Sequence, residues 1–245
     1  MKTRTKIFFL LWAAAVIATL LVIPYIFSLQ GELLQKAGIT YSTLFLISLT
    51  QGVIIFGIAS FFGLILAEKA GFKLPLLSAW FEKRKINYRK TLLLSIIIGL
   101  IVGAAIFILD KFVFQSMISD FRVPLWQGFL ACFYGGIVEE IVMRLFLMSL
   151  LVFILMKIFR SKINNPIIIW VSIILISVLF GLGHLPITSA VVGITPWIIF
   201  RAILLNGLGG VVFGWLYWKK GLESAIISHF SADVVLQVIA PVLLR

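Results

Sequence analysis

The sequence predicts an all-α fold: a polytopic transmembrane helix bundle of about seven spans, with an interior polar site. Two observations carry that prediction. Of the 245 residues, 62% are hydrophobic and only 12% charged, with a mean hydropathy of +1.18. Ordinary soluble domains carry about 25% charged residues. The apolar residues also gather into runs of about 20, the length that crosses a hydrocarbon core. A soluble fold of this size cannot hide so much apolar surface, which excludes a water-soluble enzyme. The same composition excludes a disordered chain.

Taken in order, the runs place spans near 7–29, 41–67, 91–109, 127–156, 166–183, 197–218 and 222–244. The first follows Lys2, Arg4 and Lys6 as a secretory signal would, but its length exceeds the roughly 7–15 residues of a signal core, so it is read as a retained span. Residues 185–195 are also uncharged and leave room for an eighth, partial or re-entrant piece. No strand-like alternation persists, which disfavours a barrel, and no repeat of 20–50 residues stands out. Glycines 135 and 136 and the Gly210-x-x-x-Gly214 pair mark places for close helix packing. The single Cys132 lies in an apolar run and reads as a buried, inert thiol.

The charges that remain are lopsided, 21 Lys and Arg against 9 Asp and Glu, for a net of +12. On a soluble chain that excess would suggest nucleic acid. Here no nucleic-acid partner is expected, because the basic residues sit in loops suited to an anionic inner leaflet. Lys2, Arg4 and Lys6 begin the chain, and Lys69, Lys73, Lys83, Arg84, Lys85, Arg89 and Lys90 follow span two. Lys157, Arg160 and Lys162 follow span four; Lys219 and Lys220 follow span six. The loops between hold little more than Lys36, Lys111 and Arg122. This alternation predicts an integral protein of the plasma (inner) membrane with a cytoplasmic N-terminus. The chain divides into N-terminal helices with a basic cytoplasmic loop, 1–124, and a segment rich in misplaced polar residues, 125–245.

Those misplaced residues are Glu139, Glu140 and Arg144 in span four, His184 ending span five, Arg201 in span six, and His229 and Asp233 in span seven. Five central charges would cost roughly 12–17 kcal/mol unpaired, at about 2.5–3.5 kcal/mol each. They must pair, protonate or line a wet cavity. Glu140 and Arg144 are four residues apart and share a helix face, as do His229 and Asp233, and Phe180 and His184. Glu139 lies about 100° around the helix from Glu140 and is expected to face a different neighbour. Arg201, near the start of its span, is expected to snorkel to the interface. Two imidazoles and two carboxylates suit activation of water for hydrolysis. They also suit a divalent metal such as zinc, held by Glu140, His184, His229 and Asp233. No serine or cysteine nucleophile motif is present. A proton- or ion-coupled transporter would use the same acids and histidines as a relay.

Three motifs favour the hydrolase. Glu139-Glu140-Ile141-Val142-Met143-Arg144 matches Glu-Glu-x-x-x-Arg, Phe180-Gly181-Leu182-Gly183-His184 matches Phe-x-x-x-His, and His229-Phe230-Ser231-Ala232-Asp233 matches His-x-x-x-Asn/Asp. In this order, on separate spans, they resemble the CPBP family of CAAX proteases and bacteriocin-processing enzymes, also called Abi, and are similar to type II CAAX prenyl endopeptidases. The resemblance covers roughly residues 125–240. It implies an intramembrane endopeptidase acting on a membrane-proximal peptide or protein, prenylated in the CAAX branch. It makes Glu140 the water-activating base, with Glu139, Arg144 and Phe180 supporting. His184 assists at the water, and His229 with Asp233 stabilises the oxyanion. Members are often labelled metalloproteases; not every member is known to cut a peptide, so a non-catalytic immunity or scaffold protein is the alternative the resemblance leaves. Asp rather than Asn at 233 departs from a simple donor role, since an ionised Asp only accepts hydrogen bonds.

Overall fold

The spans are built inside out relative to a soluble protein. On α3, Tyr41–Ala70, the exposed residues include Ile54, Ile55, Ile58, Phe61 and Phe62, while Gly52, Ala59, Ser60 and Gly63 face inward. Bulky side chains thus meet lipid and small ones let helices approach. The computed structural model describes residues 2–114, 123–189 and 192–243. Arg122 lies outside these, as does the last residue of the seventh sequence span.

Every described element is helical. α1 is Thr3–Leu21, α2 Ile23–Lys36, α4 the short Pro75–Phe81, and α5 Tyr88–Phe112. α6 runs Leu125–Ile158, α7 Pro166–Ser189, α8 Pro196–Lys220 and α9 Leu222–Leu243. Seven are long and apolar enough to cross a membrane: α1, α3 and α5 to α9.

The first apolar run differs from the sequence reading. Residues 7–29 are not one helix, because the chain breaks at Val22 and restarts as α2 with Pro24 in its first turn. Proline lacks an N–H and clashes with the preceding turn, so a new helix starts there at less cost than the old one continues. The 185–195 segment is partly helical. α7 has a turn at His184 followed by Leu185–Ser189, while residues 190 and 191 lie outside the described set.

The two halves of the sequence share one core. Ile7, Leu11 and Phe56 pack in the same buried cluster as Val138, Ile141 and Leu145. Contacts tighten where glycines sit. A Cβ at Gly63 would come within 2.8 Å of the Leu145 side chain, and one at Gly103 within 2.7 Å of the Ala232 carbonyl oxygen. Gly210 and Gly214 do pack closely, against Ser177 and Ile173 of α7. α3 thereby packs on α6, α5 on α9, and α8 on α7.

The basic segments collect at one end of this bundle. Arg4 reaches Glu68 at 3.2 Å, Lys6 lies over the Phe81 ring, and Lys69 and Lys157 both lie over Phe153. Arg201 does not snorkel. It makes a two-pronged bond with Asp110, both arms at 2.7 Å, tying α8 to α5. A carboxylate at the end of α5 offers the guanidinium a better partner than water does.

Candidate active site

α6 departs from α-helical geometry where its acidic pair lies. Tyr134–Glu139 and Ile141–Met148 are π-helical, and a third π segment, Val235–Ile239, follows Asp233 on α9. Such wide turns commonly occur at functional positions. They change which residues share a face, and this places both glutamates around a single imidazole.

That imidazole is His229. Its Nδ1 donates to Glu140 Oε1 at 2.8 Å. Its Nε2 stands 3.7 Å from Glu139 Oε2 and 3.7 Å from Asp233 Oδ1. Because a carboxylate accepts, Nδ1 carries a hydrogen and the ring orientation is fixed. The expectation that Glu139 faces a different neighbour from Glu140 is therefore corrected, since the π turns bring both to one ring. Their surroundings still differ. The Glu140 side chain is fully buried, whereas Glu139 is 24% exposed and Asp233 18%.

Arg144 lies behind Glu140, with Nη1 2.8 Å from Glu140 Oε1. The contact is a close ion pair but out of line for a hydrogen bond, and Glu140 Oε2 has no partner. Nη2 of Arg144 donates instead to the Gly210 carbonyl at 3.2 Å. The guanidinium carbon lies 5.0 Å from the Phe180 ring centroid and 5.6 Å from that of Phe213. Phe213 in turn stacks on His229 at 4.6 Å with a 21° tilt. Cation, carboxylate and imidazole thus form a buried chain clamped by two aromatic rings.

His184 joins through Phe180 alone. Its Nδ1 donates to the Phe180 carbonyl at 2.8 Å, the only role open beside a carbonyl, and Nε2 has no hydrogen-bond partner among the described residues. The Phe180 ring meets His184 edge-on at 4.7 Å and His229 at 5.7 Å. Among the described residues His184 makes no ion pair or hydrogen bond with Glu139, Glu140, His229 or Asp233.

Glu139, Glu140, Arg144, Phe180, His229 and Asp233 thus come together, with His184 one ring away. Among the described residues, no group of three or more His, Cys, Asp or Glu is arranged to hold a metal ion. The quartet of Glu140, His184, His229 and Asp233 is a poor shell for a physical reason. The inner oxygen of Glu140 already faces a guanidinium and accepts from an imidazole, so a cation there would meet a positive charge.

Phe213, Gly135 and the Gly210 carbonyl escaped the sequence reading as site components. Phe213 is one of 22 phenylalanines and carries no signal. Gly135 was legible as a close-packing position, though not what it packs against: a Cβ there would collide with Asp233 Oδ2 and sit 3.4 Å from His229 Nε2.

The family model described as type II CAAX prenyl endopeptidase Rce1-like matches residues 121–235, a stretch that contains every residue of this cluster. No curated protein and no solved structure matches the chain.

Proposed function

We propose, from the premise that residues 121–235 form an Rce1-like type II CAAX prenyl endopeptidase domain, that Glu139 activates water to hydrolyse a peptide bond of a membrane-proximal peptide. Membership of that family supports intramembrane endopeptidase activity; the roles within the site are our reading of its geometry. One observation carries them: two adjacent glutamates flank one imidazole, one fully buried and ion-paired, the other partly exposed. Glu140 is fully buried, with its inner oxygen committed to Arg144 and His229. Glu139 is partly exposed, and among the described residues no partner stands within hydrogen-bond reach of it. The base is therefore reassigned from Glu140, where the motif resemblance put it, to Glu139.

In the reaction, Glu139 takes a proton from water and the oxygen adds to the scissile carbonyl. The same proton then passes to the leaving amine as the carbon–nitrogen bond breaks. His229, locked through Nδ1, presents Nε2 to the reacting oxygen from between Glu139 and Asp233. His184, locked through its own Nδ1, offers Nε2 from the far side of Phe180. Glu140 and Arg144 hold His229 in place. A separation of 3.7 Å exceeds a hydrogen bond and suits a group lying between the carboxylates and the ring.

No step needs a metal. The substrate proposed with it, in keeping with the family description, is a peptide prenylated near its C-terminus; the setting proposed from the loop charges is the inner membrane, with the N-terminus of the protein cytoplasmic. The test is cleavage of matched prenylated and unprenylated peptides by the purified protein in liposomes. Glu139→Gln is expected to lower turnover by about 10²–10⁴-fold while the protein stays folded. A chelator is expected to leave wild-type turnover unchanged. Equal peptide profiles for wild type and Glu139→Gln would sink the assignment. Loss on chelation with recovery on zinc add-back would restore the metal-assisted alternative.

A further inference from the structure

The lysine-rich end of the bundle holds a cavity of about 540 Å³ that takes no part in the site described above. Its walls include Lys73 from the linker after α3, Asn164 between α6 and α7, Pro166 at the start of α7, and Trp218, Lys219 and Lys220 at the end of α8. Three of its lining residues have left-handed backbone: Gly71 at φ 85°, Asn164 at φ 64° and Gly221 at φ 101°. A Cβ at Gly71 would press on Asn164, and one at Gly221 would collide with Pro75. The shape is thus set by turns whose conformation only glycine and asparagine adopt readily.

The simplest account of the lysines is that they complement the negative ends of α3 and α8. It covers Lys219 and Lys220 but not Lys73, which lies beyond the last turn of α3. Among the described residues, none of the three pairs with a carboxylate. The nearest acid, Glu223, accepts from the Leu77 N–H at 2.8 Å and so holds the start of α4. Lys219 rests on the Trp218 ring at 3.4 Å, and Trp218 meets Trp170 edge-on. Trp170 is 39% exposed on the outer surface of α7. Paired tryptophans of this kind mark the depth of lipid headgroups. The cavity therefore combines three cations with no carboxylate partner among the described residues, an amide, a fixed shape and interfacial depth.

We propose that this cavity binds the phosphate of an anionic phospholipid headgroup. Basic pockets between helix ends at the positive face of a bundle take such groups, whereas flat basic loops attract the membrane only diffusely. The binding is independent of the proposed catalytic roles.

The test uses the full chain in nanodiscs of phosphatidylcholine with phosphatidylglycerol, reading bound lipid by native mass spectrometry after release. Each lysine near an anionic surface is worth about a fivefold change in affinity. A triple change of Lys73, Lys219 and Lys220 to Gln is expected to lower phosphatidylglycerol retention by more than about tenfold. The same charge removed at exposed Lys85, Arg89 and Lys90 is expected to leave it within about twofold. Asn164→Asp, which keeps a residue tolerant of left-handed backbone, is expected to weaken retention too, and covers the case in which the triple variant does not fold. Inorganic phosphate competing at millimolar concentration would identify a free phosphate as the ligand and overturn the lipid assignment. Equal losses in the two triple variants, or no preference for phosphatidylglycerol in wild type, would overturn the site.

Discussion

At Glu139 and Glu140, adjacent identical side chains meet different surroundings: one is fully buried and ion-paired, the other partly exposed. Removing the charge of Glu140 leaves Arg144 buried without its ion partner, and breaking a buried pair costs about 3–5 kcal/mol. Glu140→Gln is therefore expected to lower the thermal unfolding temperature in detergent markedly, with activity lost alongside the fold. Glu139→Gln should melt close to wild type. If both variants melt alike, Glu140 does not act as the scaffold member. Gly135 makes a second prediction at this scale. Gly135→Ala adds one methyl where Asp233 Oδ2 lies, and alanine itself favours helix by about 0.5–1 kcal/mol. The variant is expected to fold while cleaving at least about tenfold more slowly, because Asp233 is pushed from His229. Restoring space with Gly135→Ala, Asp233→Ala should not recover the rate; full activity of Gly135→Ala would show that Asp233 has no part at Nε2. Reading these roles from sequence fails for a definable reason. A rotation of about 100° per residue assumes an α-helix, whereas Glu139 ends one π segment and Glu140 stands between it and the next. The cluster itself was legible, because burying charge in an apolar span is costly enough that every such residue needs a reason.

At the scale of elements, spans were legible because each needs only length and apolar composition, and α3 and α5 to α9 fall where the runs lie. The break at Val22 was not, since Pro24 leaves the hydropathy of the run unchanged while removing a backbone donor. The pairing of Arg201 with Asp110 escaped for another reason: the partners lie 91 positions apart and only the packing of α5 beside α8 joins them. With side-chain exposures of 11% and 23%, the pair is shielded enough to matter beyond a surface bridge. A double-mutant cycle of Arg201→Met and Asp110→Asn, read by unfolding in detergent, is expected to show a coupling of about 1–2 kcal/mol. A coupling near zero would return Arg201 to the interfacial role its position in the span suggested.

For the whole molecule, the arrangement of charge predicts an orientation. Contacts of Arg4, Lys6, Lys69 and Lys157 gather four separate stretches of chain at one end. Lys36, the last residue of α2, and Asp110, near the end of α5, adjoin the alternate connections, where little positive charge accumulates. The positive-inside rule predicts the lysine-rich end on the cytoplasmic side, where anionic lipid also concentrates. The only native thiol, Cys132, is fully buried and donates to the Gly128 carbonyl, so it will not report on topology. Single cysteines introduced at exposed Lys36 and Lys85 will. In sealed, right-side-out vesicles, a membrane-impermeant maleimide is expected to label Cys at 36 directly and Cys at 85 only after permeabilisation. The reverse pattern would invert the molecule and put the lysine cavity on the outer face, where anionic headgroups are scarce. Labelling at both positions without permeabilisation would mean that the two connections share a side, which the odd number of crossings between them forbids. Orientation also decides access. The wet edge of Glu139 and Asp233 faces away from the dry chain of Glu140 and Arg144, so the side on which it opens is the side from which a membrane-proximal peptide must come.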